Sequence, residues 1–453
     1  MVNDELRSEI IPIYKRIVRD LKHGAQDDFK LCFFDLHNYD QAQIYQALPP
    51  QLRHQLIEWI DPMELADVFD LIEPEVVEED QLLSEMTPRY AADVLNEMYV
   101  DNAVDVLDEM PEAQQEHYLK QLSDTDAKEI RNLLGYADQT AGSLMTPEYV
   151  GISSQASIGE ALSLVKQFAE ESEQISYIYV VEQEKLIGVI SLRSLIVHPD
   201  HEKVQDVMTQ SLVTVQPGDD QEIVARLMAD YDLVAIPVVN EQNKMLGIIM
   251  IDDILDVIEA ESAEDYERFA GVHNLDLEES PFQSIFKRLP WLIVLVFLGL
   301  GTASIINHYD QLVQQMSVLA VFISLITGTA GNAGTQALAV SIRRITLKEK
   351  KGTLIMFLTE LLIGLSIGLI TGGTILLVVW IWKANFLLGL AVGLAMAGAI
   401  TVANLAGAFV PLLMESLKID PAVASGPFIS TLSDLTSVII YFNIASWILN
   451  VWV

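Results

Sequence analysis

A single cysteine, Cys32, stands in 453 residues, so no disulfide framework can form within the chain. A lone thiol agrees with a reducing cytosol for the front part. The first apolar run is too short and too charged for a secretory leader. No Gly-Lys-Ser/Thr phosphate loop occurs, which argues against a pump driven by nucleotide hydrolysis. Bases are scarce: 27 Lys and Arg face 64 Asp and Glu, a net charge of −37. The shortage is uneven. Residues 281–453 hold six acids and nine bases, while residues 1–280 hold 58 acids and 18 bases. A front part of about −40 repels nucleic acid and suits cations. A soluble acidic surface without a ligand has the same composition.

Long apolar runs are abundant at the back. They cover roughly 290–306, 316–341, 353–382, 386–414 and 422–451, and most exceed the ~20 residues needed to span a bilayer. Lys287, Arg288, Arg343, Arg344, Lys348, Lys350, Lys351 and Lys418 fall on one side of five such spans, and only Lys383 on the other. The bias puts residues 1–288 in the cytoplasm and Val453 outside. The last run contains Ser430-Thr431-Leu432-Ser433-Asp434-Leu435-Thr436-Ser437. On a helix, Ser430, Ser433, Asp434, Ser437 and Tyr441 share one stripe. A carboxylate at a span centre costs at least about 2.5–3.5 kcal/mol, so it faces a bundle interior or a wet path. Asp434 is therefore read as a cation site on a conduction path, with an interhelical hydrogen bond as the plainer alternative. Span two carries a second polar stripe, Gly328, Gly331, Asn332 and Thr335. Asn332 offers an amide oxygen to water or an ion, while close helix packing accounts for the small residues. Gly364, Gly368, Gly389 and Gly393 read as packing notches.

Residues 1–140 read as short helices. Ala91-Ala92-Asp93-Val94-Leu95-Asn96-Glu97-Met98 returns closely as Ala103-Val104-Asp105-Val106-Leu107-Asp108-Glu109-Met110. Pro62, Pro74, Pro88 and Pro111 stand near helix starts. Stacked short helices make a small superhelical domain. Residues 141–258 are duplicated. Leu144-Met145-Thr146 returns as Val207-Met208-Thr209, Tyr177-Ile178-Tyr179-Val180-Val181 as Ala235-Ile236-Pro237-Val238-Val239, and Leu186-Ile187-Gly188-Val189-Ile190 as Leu246-Gly247-Ile248-Ile249. Each copy reads helix, strand, turn, strand, helix. The pair resembles a tandem of cystathionine-β-synthase (CBS) domains. That resemblance implies an adenosine-nucleotide site between the repeats, ATP being one such ligand. Ser194 stands where the family's ribose-binding acid is usual, and Leu233 where an aromatic could stack on the base.

Next comes a stretch dense in acids. On one helix Asp253, Asp256, Glu261 and Glu264 share an arc of about 140°, with Asp265 just beyond. Like charges this close repel across a Debye length of about 8 Å. A free acidic face needs no ligand. A Mg²⁺ sensor would use scattered carboxylates, because the ion keeps several waters.

The fold class expected is multidomain. It comprises an all-α superhelical N-terminal domain (1–140), an α+β tandem CBS pair (141–252), a connecting helix (253–280) and a five-helix transmembrane domain (281–453). This order resembles the MgtE family of magnesium channels. Thr327-Gly328-Thr329-Ala330-Gly331-Asn332-Ala333-Gly334, and Asp420-Pro421-Ala422 leading to Thr431-Leu432-Ser433-Asp434, carry the same resemblance. It implies a homodimer in the bilayer of the cytoplasmic membrane, with a pore on the two-fold axis lined by spans two and five, at Gly328, Asn332, Ser430 and Ser433. It implies Asp434 as the pore carboxylate and Asp420 as a ligand at the cytoplasmic end. It also implies a regulatory Mg²⁺ sensor at Asp101, Asp105, Gly142, Asp220, Glu222, Ala229, Asp232, Asp253, Asp256, Glu261, Glu264 and Asp265, the last five on a plug helix. Gly426 replaces an Asn found in some relatives. Mg²⁺ is then both cargo and regulator. The alternative is a secondary transporter of divalent cations coupled to an ion gradient. A CBS-regulated anion channel conflicts with an acid on the pore stripe. A membrane-anchored nucleotide sensor leaves both polar stripes unexplained.

Overall fold

Prolines and small polar residues open most of the short helices at the front. Ten helices of six to thirteen residues run from Ile11–His23 to Asp124–Leu133 in the computed structural model. The structure describes residues 9–72, 79–108, 110–168, 175–270, 280–346, 353–417 and 425–452. Pro62 and Pro88 occupy first helical positions, and Pro111 precedes the helix Glu112–Leu119. Pro has no N–H to lose there and its φ is already helical. Pro74 lies outside the described residues. Asp61 and Glu64 close a reciprocal cap on the helix that Pro62 begins. The near-copies serve the same purpose: Ala91, Val94, Leu95 and Met98 are buried, as are Ala103, Val106, Leu107 and Met110. Tyr45, Phe29, Phe33 and Phe69 fill the centre of this core.

The duplicated region forms two small sheets. Strand β1 (Gly151–Ile152) runs parallel to β2 (Tyr177–Glu182), which pairs antiparallel with β3 (Lys185–Ser191). Strands β4 (Ala235–Val239) and β5 (Met245–Met250) repeat the hairpin, and Val215 makes a parallel bridge to Val238 where β1 would lie. Both hairpins bulge at the same place, Val180/Val181 and Val238/Val239. The repeats clasp each other. Thr209 bridges to Val189 and Thr146 to Ile248, so each lead-in segment docks on the other repeat's second strand. A glycine stands at both docking points, and at Gly247 the neighbour is backbone that cannot give way. A Cβ on Gly188 would meet Met208 Sδ at 2.5 Å, and one on Gly247 would collide with the Thr146 carbonyl.

The chain divides into two compact units, Met1–Ile258 and Glu259–Val453. The helix Ile251–Ala270 carries the change. Among the described residues of the second unit, five helices are long and apolar enough to cross a membrane: Pro281–His308, Val318–Thr346, Thr353–Lys383, Phe386–Ser416 and Gly426–Trp452, here spans one to five. Span one is longer than its apolar run because Phe282, Gln283, Ser284, Ile285 and Phe286 continue the helix ahead of Lys287, and Pro290 sits inside it. A short helix, Asp310–Gln315, joins spans one and two.

Span four is the centre of the bundle, packing against spans two, three and five. Its contact with span three is a run of glycine notches, as the spacing predicts. A Cβ on Gly368 would lie 2.6 Å from the Ala397 carbonyl, and one on Gly389 2.7 Å from the Leu376 carbonyl. Without side chains the two backbones approach closely. Span one packs mainly on span five, and among the described residues it has none that is buried.

Candidate ion path and acidic sensor

Spans two and five pack antiparallel, and three contacts set their register. A Cβ on Gly331 would lie 2.8 Å from Ser430 Oγ. One on Gly426 would lie 3.3 Å from Thr335 Cγ2. The Tyr441 hydroxyl donates to the Leu319 carbonyl at 2.9 Å. In each pair one number falls as the other rises, which places Asp434 level with Ile326 and Thr327. Gly328 is exposed, and a Cβ there would have no atom within 4 Å. Asp434 itself is partly exposed although Tyr441 on the same stripe is buried. Asn332 is also exposed, one turn from Gly328 along the same face of span two. Val321, Leu325 and Gln336 continue that open face.

The structure corrects one expected pore residue. Ser433 has 0 % of its surface exposed, and its Oγ would sit 2.8 Å from a Cβ on Gly334. It belongs to the packed seam between spans two and five, off the open face. Ser437 is equally buried. A polar stripe read from helical phase is wider than the face that stays open, because the neighbouring helix covers its edge. Ser430 lies on the same seam but is partly exposed. Asp420 lies outside the described residues. Gly426 lies in a packed corner: besides Thr335, the Phe269 carbonyl lies 3.6 Å from a Cβ position. Phe269, near the end of the acidic helix, packs against Leu338 and Ile429 of spans two and five.

The expected sensor residues fall into separate groups. Thr140 bridges to Asp220, and the Gly142 N–H donates to the Pro217 carbonyl at 2.9 Å, which brings Gly142 and Asp220 into one corner. Asp220 caps the helix Gln221–Asp230, accepting from the Glu222 N–H at 2.9 Å. Glu222 pairs with Arg226 at 2.7 Å. Ala229 and Asp232 are exposed at the far end of that helix, with Asp232 in the left-handed region at φ 52°. Asp105 is exposed, whereas Asp101, one turn earlier, is buried. Asp253 accepts from the Met250 N–H at 3.4 Å. Asp256 and Asp265 are exposed, and Glu261 and Glu264 partly so. Among the described residues no three His, Cys, Asp or Glu side chains converge on one ion position.

Sequence reasoning missed Asp70. Its carboxylate accepts from Asn102 Nδ2 at 3.0 Å and from the Tyr99 N–H at 3.3 Å. Burial pushes Asp70 up to about 7, with Asp101 and Asp67 adding to the rise and the two hydrogen bonds opposing it. Burial likewise pushes Asp101 up to about 6, with the Asp252 charge adding to it. Asp70, Asp101 and Asp252 thus form one crowded acidic locality in the first unit. At the end of an ordinary amphipathic helix, Asp70 gives no sign of this in sequence.

A cavity of about 280 Å³ opens between the CBS repeats, walled by Tyr177, Ser191, Ser194, Thr209, Tyr231 and Leu233 among others. Among the described residues no charged side chain lines it. Ser191 and Ser194 satisfy one another, their oxygens 2.8 Å apart.

Family models match in chain order: MgtE intracellular N domain over 36–139, CBS domain over 141–199 and 204–260, and MgtE, divalent cation transporter, over 323–444. The chain is 50 % identical over 440 residues to the magnesium transporter MgtE of Enterococcus faecalis, covering 96 % of this chain and 97 % of the relative. It is 36 % identical to the Bacillus subtilis magnesium transporter MgtE, covering 95 % and 96 %. Among solved structures, the soluble part of a magnesium transporter aligns with a TM-score of 0.54 at 42 % identity, covering 56 % of this chain and 99 % of that one. The cytosolic domain of the Mg²⁺ channel MgtE in complex with ATP aligns with a TM-score of 0.51 at 31 % identity, covering 54 % and 99 %.

Proposed function

The chain belongs to the MgtE family, a family of transporters and not of enzymes, and from that premise we propose that it is a homodimeric Mg²⁺ channel of the cytoplasmic membrane. Intracellular Mg²⁺ shuts it by binding the acidic cytosolic parts. The observation that carries the reading is Asp434, a partly exposed carboxyl inside span five, which packs on a span two whose face at Gly328 and Asn332 is open. Mg²⁺ gives up its waters reluctantly, so a single carboxylate per chain holds it through that water shell. Gly328 and Asn332 leave a wet, polar face on span two along which such a shell can move. Two chains meeting on this face would enclose the path and present two carboxylates to one ion. The exposed face of span two and the largely exposed span one both suit such a dimer.

Gating follows from linkage. Mg²⁺ binds the compact arrangement of the acidic parts more tightly than the spread one, so rising Mg²⁺ favours compaction. Asp101, Asp105, Gly142, Asp220, Glu222, Ala229, Asp232 and the acids of the plug helix would supply the sensor. Phe269 packed at the ends of spans two and five supports a plug that communicates with the path. The N-terminus lies in the cytosol and the C-terminus outside. Among the described residues, the lining of the cavity between the CBS repeats offers no carboxylate for a ribose diol and no cation for a triphosphate.

The test is Mg²⁺ uptake and patch recording with Asp434→Ala and Asp434→Asn. Loss of current in both, with protein present in the membrane, supports the pore assignment; unchanged flux removes it. Current that depends on a Na⁺ or H⁺ gradient would favour coupled transport.

A further inference from the structure

Glu360 is a second intramembrane acid, and it lies away from the ion path. It stands five residues into the apolar segment Ile355–Lys383 of span three and is 4 % exposed. One carboxylate oxygen accepts from Arg344 Nη1 of span two at 2.6 Å. The other accepts from Asn404 Nδ2 of span four at 3.1 Å. Asn404 Nδ2 also lies 3.0 Å from the Glu360 backbone carbonyl. The charge is thus paired and hydrogen-bonded on both oxygens, as burial of a carboxylate demands. One turn nearer the middle of span two, Ser341 Oγ donates to the Ala408 carbonyl of span four at 3.0 Å.

Helical phase gives these contacts their meaning. At 100° per residue Arg344 lies about 120° from Asn332 and about 160° from Gly328 around span two. Ser341 lies about 180° from Asn332. Both polar fastenings therefore grip the back of the helix whose front is the open face. A helix is stiff in torsion over so short a distance, so its rotational setting at Arg344 is passed on to Gly328 and Asn332.

We propose that Arg344, Glu360 and Asn404 are positioning residues that set the rotation of span two, and so decide which side chains face the ion path. The proposal rests on the reading that this face lines the path, but its central test needs no transport. In a full-length Cys32→Ser background, Asn332→Cys and Ala333→Cys report the open and the packed face through reaction with a thiol reagent. Asn332 is exposed and Ala333 is 8 % exposed, so only the first should react. Adding Glu360→Gln, which keeps an acceptor for Asn404 but leaves Arg344 unpaired, should let Ala333→Cys react and lower Mg²⁺ uptake about tenfold. The double variant R344Q/E360Q should be no worse than Glu360→Gln alone, since the second change removes the stranded cation. An unchanged labelling pattern in folded Glu360→Gln protein overturns the proposal. So do uptake losses that multiply in the double variant. A parent with no uptake but the expected labelling shift would refute the channel reading and leave this one standing.

Discussion

Ser433 and Gly334 face each other across the seam of spans five and two, so close that a Cβ on the glycine would lie 2.8 Å from the serine oxygen. The same Cβ would lie 3.2 Å from the Ala403 carbonyl of span four. Gly334→Ala therefore forces three helices apart and should destabilise the protein by about 1–3 kcal/mol. Gly328→Ala, on the open face with nothing within 4 Å, should leave the thermal midpoint in detergent unchanged while reducing Mg²⁺ flux. Equal midpoints for the two variants would show that the seam is looser than described.

The Tyr441 hydroxyl is buried and donates to the Leu319 carbonyl at 2.9 Å. Tyr441→Phe keeps the ring that lies 5.3 Å from Phe442 and deletes only this bond. The expected loss is about 0.6 kcal/mol, with a ceiling near 1.7, as for interhelical bonds in other membrane bundles. Chemical unfolding in mixed micelles measures it, and a loss well above that range would mean the bond also orients span five.

The large features were legible in the sequence because each rests on a repeated signal. Long apolar runs announced the spans, and three matched segments announced the CBS duplication. Gly364, Gly368 and Gly389 read correctly as notches because small residues at helical spacing serve one common purpose. Other features depend on which neighbour arrives, and no single stretch encodes that. Ser433 shares a stripe with Asp434, yet Gly334 lets span two cover it. Arg344 and Glu360 sit on different helices, and only folding shows that they meet. Asp70 has the surroundings of a solvated helix-end acid until the Tyr99 and Asn102 donors close over it.

Asp70 makes stability of the first unit depend on pH. Its pKa is raised from 3.8 to about 7 in the folded chain, so the native state binds more protons than the unfolded state between these values. Stability then falls as pH rises. The favourable contribution is fully present below about pH 4 and is lost as pH passes 7. Asp101, raised to about 6, acts in the same direction. Unfolding of the full-length protein in EDTA, followed by a probe in residues 1–258, should shift to lower temperature between pH 5 and 8 by a few degrees. Asp70→Asn should flatten the slope. A slope unchanged in Asp70→Asn would assign the effect to other groups.

Mg²⁺ should reverse that loss. An ion bridging carboxylates favours the ionised forms, so its stabilisation grows as pH rises and the acids deprotonate. Limited proteolysis of the purified protein across micromolar to tens of millimolar Mg²⁺ should show protection of residues 1–270, greater at pH 8 than at pH 6. Asp101→Asn and Glu261→Gln should each move the protective concentration upward. Like charges repel less when K⁺ screens them, but at equal ionic strength KCl cannot bridge two carboxylates. KCl matched to MgCl₂ should therefore protect weakly, and equal protection by the two salts would reduce the acidic face to a screened surface with no sensing role.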